Sequence, residues 1–81
     1  MSIKERLRVL GLIFEETGIE RSVFEKIEDK CVSMSHLGFP ESDMINRLNE
    51  EVKKFIEDNE KYSFNFVNIA EKYDFDVEFL D

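Results

Sequence analysis

The chain has 81 residues, 42% hydrophobic and 37% charged, with three Gly, one Pro and a formal net charge of −8. One domain of this size closes a core worth only a few kcal/mol net, and this composition argues against a disordered tail or a turn-rich β fold. The charge argues against direct contact with nucleic-acid phosphates, and it is uneven: residues 1–37 carry −1 and residues 38–81 carry −7.

An acidic surface does two things. It speeds and orients the encounter with a basic protein partner, and it keeps a small protein soluble whether or not a partner exists. Cys31 is the single cysteine, so an intramolecular disulfide is impossible and a reducing cytoplasm is the natural setting. The N-terminal apolar run is broken by Arg6, Arg8, Glu15 and Glu16, lacks a signal-peptide form, and nowhere approaches the roughly 18 residues of a membrane span. The expectation is a cytoplasmic protein, neither secreted nor integral to a membrane.

The first predicted helix covers residues 2–17. Ser2 with Glu5 three residues on forms a capping box. Ile3, Leu7, Leu10 and Phe14 make an apolar stripe, widened by Val9, Leu12 and Ile13. Gly11 in mid-stripe costs about 1 kcal/mol relative to Ala unless another segment packs close there. Gly18 reads as a left-handed residue ending the helix. The face is wider than one neighbour needs, which leaves two readings: a central place in the bundle, or a homodimer seam through Leu7 and Leu10.

The second helix is expected over 20–36, with Val23, Phe24, Ile27, Cys31 and Met34 inward and Glu25, Lys26, Glu28, Asp29 and Lys30 outward. A tight turn around Gly38 follows. Pro40 suits the first turn of the next helix, with Phe39 stapling onto Met44; Ser42 or Asp43 as the cap is the competing start.

The third helix, 41–59, has the clearest pattern. Met44, Ile45, Leu48, Val52, Phe55 and Ile56 fall at spacings of 1, 3, 4, 3 and 1. Glu50 and Lys54 form an i,i+4 pair on its wet side. A fourth helix, capped by Ser63, is expected over 63–73 with Phe66, Ile69, Ala70 and Tyr73 on one face. The tail, 74–81, is ambiguous: Phe75, Val77 and Phe79 alternate with Asp74, Asp76 and Glu78 as in a strand, while Asp76 also suits the cap of a last helical turn.

The pattern holds no catalytic, cofactor or metal motif. The lone His36 sits at a helix C-terminus, where a cation favours the macrodipole. Cys31 falls on an apolar stripe, where a thiol acts as a small hydrophobe. The acids at 74, 76 and 78 lack the glycine turn and bidentate acid of a calcium loop. Adjacent acid pairs diverge on a helix and make no catalytic dyad. The chain therefore reads as a non-enzyme with no cofactor.

The candidate partner-binding residues are Glu50, Glu51, Glu57 and Asp58 on the third helix, together with Asp74, Phe75, Asp76, Val77, Glu78, Phe79 and Leu80. Glu41 and Asp43 extend the acidic set. In the tail, acids interleave with apolar residues, a composition that docks into apolar grooves rimmed by bases. The competing reading returns those aromatics to the core.

Phe66, Val67, Ala70, Glu71, Lys72, Phe75, Val77 and Glu78 give residues 62–80 a pattern that resembles small tailed-phage transcription accessory factors acting at late promoters. The likeness covers that stretch alone, with no counterpart in the first half of the chain and no continuation past the acidic run. It implies docking on RNA polymerase or on a sliding clamp.

The expected fold is an all-α, antiparallel bundle of three to four short helices in one domain. Three functions follow from the residues. The first is an acidic protein–protein interaction module, an inhibitor or adaptor of phage or mobile-element type, occluding a basic surface of a nucleic-acid-handling protein. The second is a transcription accessory factor using its C-terminal segment. The third is a structural helical homo-oligomer joined through the first helix.

Overall fold

The computed structural model describes residues 1–77, so Glu78, Phe79 and Leu80 of the expected binding tail lie outside the described residues. Four helices form, α1 (Ile3–Thr17), α2 (Arg21–His36), α3 (Glu41–Asp58) and α4 (Ser63–Lys72), with a single 3₁₀ turn at Glu60–Tyr62 leading into α4. The architecture is an all-α bundle, and no strand occurs among the described residues. The strand-like alternation at Phe75 and Val77 builds no ladder there.

Helix starts follow local chemistry at α1 and depart from it at the others. The Ser2 hydroxyl accepts the Glu5 N–H at 3.2 Å, as the capping pattern predicts. At α3 the cap is Pro40 itself, in an extended conformation, and its carbonyl accepts the Asp43 and Met44 N–H groups. Ser42 and Asp43 are thus inside the helix. Phe39, the expected staple, is 45% exposed. Ser63 is likewise helical and not a cap. The 3₁₀ turn before it, closed by the Tyr62 N–H on the Asn59 carbonyl at 3.0 Å, already carries the backbone into the helix.

Three helices end alike. At α1 the N–H of Ile19 reaches back to the Phe14 carbonyl at 3.0 Å and Gly18 N–H to Glu15 at 3.2 Å. At α2, Phe39 reaches Met34 and Gly38 reaches Ser35 in the same 6→1 and 5→2 pattern. At α4, Phe75 bonds Ala70 at 2.9 Å and Asp74 bonds Glu71 at 3.1 Å. Each ending turns on a left-handed residue: Gly18 at φ 86°, Gly38 at φ 85° and Asp74 at φ 56°. This is the Schellman motif, which satisfies orphan carbonyls and aims the next side chain back at the helix. Ile19 and Phe75 are accordingly buried, at 6% and 3% exposure.

The core sits on α1. Phe14 is 1% exposed, and its ring meets Phe24 of α2 at 6.0 Å, Phe55 of α3 at 5.9 Å and Phe66 of α4 at 5.9 Å, the first and last edge-on. Leu10, Ile13, Leu48, Val52, Phe66 and Ala70 fill the space around it with no exposed surface. Gly11 finds its reason in a side chain, not a backbone: a Cβ there would stand 3.3 Å from Cζ of Phe24. Leu10, one of the two leucines read from sequence as a dimer seam, is inside the core and gives that side of α1 a central position, while Leu7 is only partly buried and Leu12 is open.

Two stability tests follow. Phe14→Ala should cost about 3–5 kcal/mol, because it leaves a void where all four helices meet; urea denaturation would measure it. That is a large part of the roughly 5–15 kcal/mol of an ordinary domain. At Asp74 the left-handed backbone penalises a Cβ, so Asp74→Gly should gain up to about 1 kcal/mol and Asp74→Val should lose about 1–2 kcal/mol in thermal melts.

Candidate interaction surface

The acids singled out from sequence do not form one patch. Glu51 faces the α2–α3 seam with its side chain only 14% exposed. Its Oε2 accepts from Lys30 Nζ at 3.0 Å and its Oε1 from Arg47 Nη1 at 3.4 Å. Burial alone would raise this carboxyl, but the hydrogen bonds and charges of Lys30 and Arg47 outweigh it and hold Glu51 below the ordinary glutamate value. Glu51 is an internal tie between helices. No ion pair joins Glu50 to Lys54.

Glu50, Glu57 and Asp58 are exposed. At roughly 100° per residue, Asp43, Glu50 and Glu57 stand within about 40° of one line along α3, with Lys54 interrupting the column. Asp58 turns aside into a shallow groove of about 280 Å³ between α2 and α3, which Lys26, Lys30 and Lys54 also line. Glu41 is engaged with the chain start, its Oε1 accepting the Ile3 N–H at 3.3 Å.

In the tail, Asp74 and Asp76 are exposed, while Phe75 belongs to the core and Val77 packs against it, partly buried. The competing reading of this segment, aromatics returned to the core, therefore describes Phe75. The preceding residues are pinned too: Tyr73 OH donates to Glu16 Oε1 at 2.8 Å, which raises the phenol pKa, and Lys72 Nζ lies 3.7 Å from the same oxygen.

A second surface emerges between α1 and α2. An open groove of about 690 Å³ runs between them, floored by Leu7, Gly11 and Phe24 and walled by Leu12 and Val32. Leu12 is 37% exposed and Val32 42%. Lys4, Arg8 and Glu15 edge it from α1, Arg21 and Glu28 from α2. Lys4, Arg8, Glu15 and Glu28 make no ion pair among the described residues, and Arg21 lies 5.3 Å over the Phe24 ring. Sequence reading placed Leu12 within the α1 stripe but overlooked Val32. The available signal was that Val32 is the apolar residue of α2 that falls off its inward stripe.

Cys31 is 1% exposed, and its Sγ lies 3.8 Å from the Met44 carbonyl. Burial, then the Glu51 charge, pushes its thiol up, which keeps it protonated and unreactive at neutral pH. His36 is exposed in the last turn of α2. Among the described residues no group of three or more His, Cys, Asp or Glu is placed to hold a metal ion, and no helix is long and apolar enough to cross a membrane. No family model matches the chain, and no curated protein or solved structure matches it either.

The Glu51 tie has a pH signature. A depressed carboxyl adds stability that is fully present above the ordinary value of 4.5 and lost as pH falls through the lower folded value. Glu51→Gln should therefore lower stability at neutral pH by no more than about 1 kcal/mol, given exposed cationic partners. In thermal melts the gap from the unmodified chain should close in acid.

Proposed function

We propose that this chain is a small acidic protein-interaction module, acting by binding and not by catalysis, which covers a basic surface of a nucleic-acid-handling protein as an inhibitor or adaptor. The observation that carries this reading is the set of exposed carboxylates on the second half of the chain. Glu50, Glu57 and Asp58 are exposed, and among the described residues none of them is tied up in an ion pair. They belong to the stretch that holds −7 of the chain's −8 charge.

Charges held on a rigid helix cost little conformational entropy to present, and they attract a basic surface before contact is made. The Asp43–Glu50–Glu57 column repeats every seven residues, about 10 Å along the helix axis. A reducing, cytoplasmic setting suits the single thiol of Cys31.

Charge-selected binding must weaken with salt, since the screening length falls from about 10 Å at 0.1 M to about 3 Å at 1 M. Capture from a host lysate should therefore retain a basic nucleic-acid-handling protein at low salt and release it at high salt. The Glu50→Gln/Glu57→Gln/Asp58→Asn variant should lose that protein while keeping the same helicity and melting temperature. Binding that ignores both salt and these three substitutions would overturn the reading.

A further inference from the structure

We propose that the α1–α2 groove is a homodimer interface, in which α1 of one copy lies antiparallel to α1 of a second copy. The proposal stands on the groove and not on the acidic face, so it is independent of the function proposed above.

Three observations carry it. The first is that apolar side chains remain open along the groove after the core has closed. Leu12 and Val32 are more than a third exposed, and Ile3 and Leu7 are only partly buried.

The second is the order of residues on the α1 wall, Lys4, Leu7, Arg8, Gly11, Leu12 and Glu15. A two-fold interface presents one surface to itself in reverse, so its pattern must be self-complementary. Turned antiparallel about its midpoint, this stripe sets Lys4 opposite Glu15, a pairing that occurs twice, with Leu7 and Leu12 on opposite flanks of the seam. A base meets an acid toward each end of the seam. Among the described residues, Lys4, Arg8 and Glu15 have no ion pair inside their own chain to give up. A uniformly acidic or basic partner would instead meet repulsion at one end of the groove.

The third is the distribution of charge over the whole molecule. Two copies carrying −8 each repel one another. Residues 1–37, which contain both helices of the groove, carry only −1 of that total. The α1–α2 side is where two copies approach at least electrostatic cost, and docking there leaves the acidic α3 face outward.

Sedimentation equilibrium of the full chain tests this, with concentrations up to about 500 µM to reach a weak dimer. The unmodified chain should give the mass of a dimer. Leu12→Glu should give a monomer with unchanged far-UV circular dichroism. Should Leu12→Glu disturb the fold, the charge variants decide the matter. Glu15→Lys sets like charges together and should weaken association about tenfold or more, and adding Lys4→Glu should restore most of the loss. A monomer throughout overturns the proposal and hands the groove to a helix of another protein. So does any mass other than a dimer, or a dimer insensitive to Leu12→Glu and to charge reversal. None of these results bears on capture by the acidic face, which the α3 variant tests separately.

Discussion

The packing of Phe14 is the constraint on which this structure depends. Its ring stands against one aromatic from each of the other three helices, Phe24, Phe55 and Phe66. A bundle of this size has few buried side chains to spend, so joining every helix through one residue makes the core cooperative. The consequences spread outward along α1. Phe24 reaches Phe14 only because Gly11 leaves room for its ring, and the helix tolerates that glycine because the packing offsets its entropic penalty.

The helix endings do for the chain path what Phe14 does for the core. Each Schellman ending folds the next residue back over the helix it closes. At α1 this buries Ile19, and at α4 it buries Phe75. The α2 ending leaves Phe39 largely in solvent, because no helix stands opposite it in the same way. The burial of Phe75 bears on function. A segment that looks like a free docking peptide begins with an aromatic already committed to the core, and what stays outside at that point is charge: Asp74 and Asp76.

Net charge differs between the two halves of the chain. The nearly neutral half holds α1 and α2 and the open apolar groove, while the strongly acidic half holds α3 and α4. Glu51 is the exception that shows the rule. Surrounded by Lys30 and Arg47, it fastens the two halves together and is spent on the fold. The acids left over on α3 face water.

The fold class, the four helical segments and most of the core were legible in the residues. Helical periodicity is a local property, and the stripes of α1, α2 and α3 name nearly every residue that is buried. Gly18 and Gly38 marked two helix ends for the same reason, since a left-handed turn leaves its trace in a single residue type. Asp74 makes the same turn without a glycine and so stayed hidden. Whether the broad face of α1 is central or a seam could not be read from α1 alone. Leu10 is fully enclosed and Leu12 open, since two residues turn a helix by about 200° and set these side chains on opposite sides of α1. Which acids are free could not be read either, because Glu50 and Glu51 are neighbours with the same chemistry. Only the approach of α2 decided that one would be bound by Lys30 and the other left in water. Sequence sets what each residue prefers, but the choice among equivalent residues depends on which helices come to stand beside them.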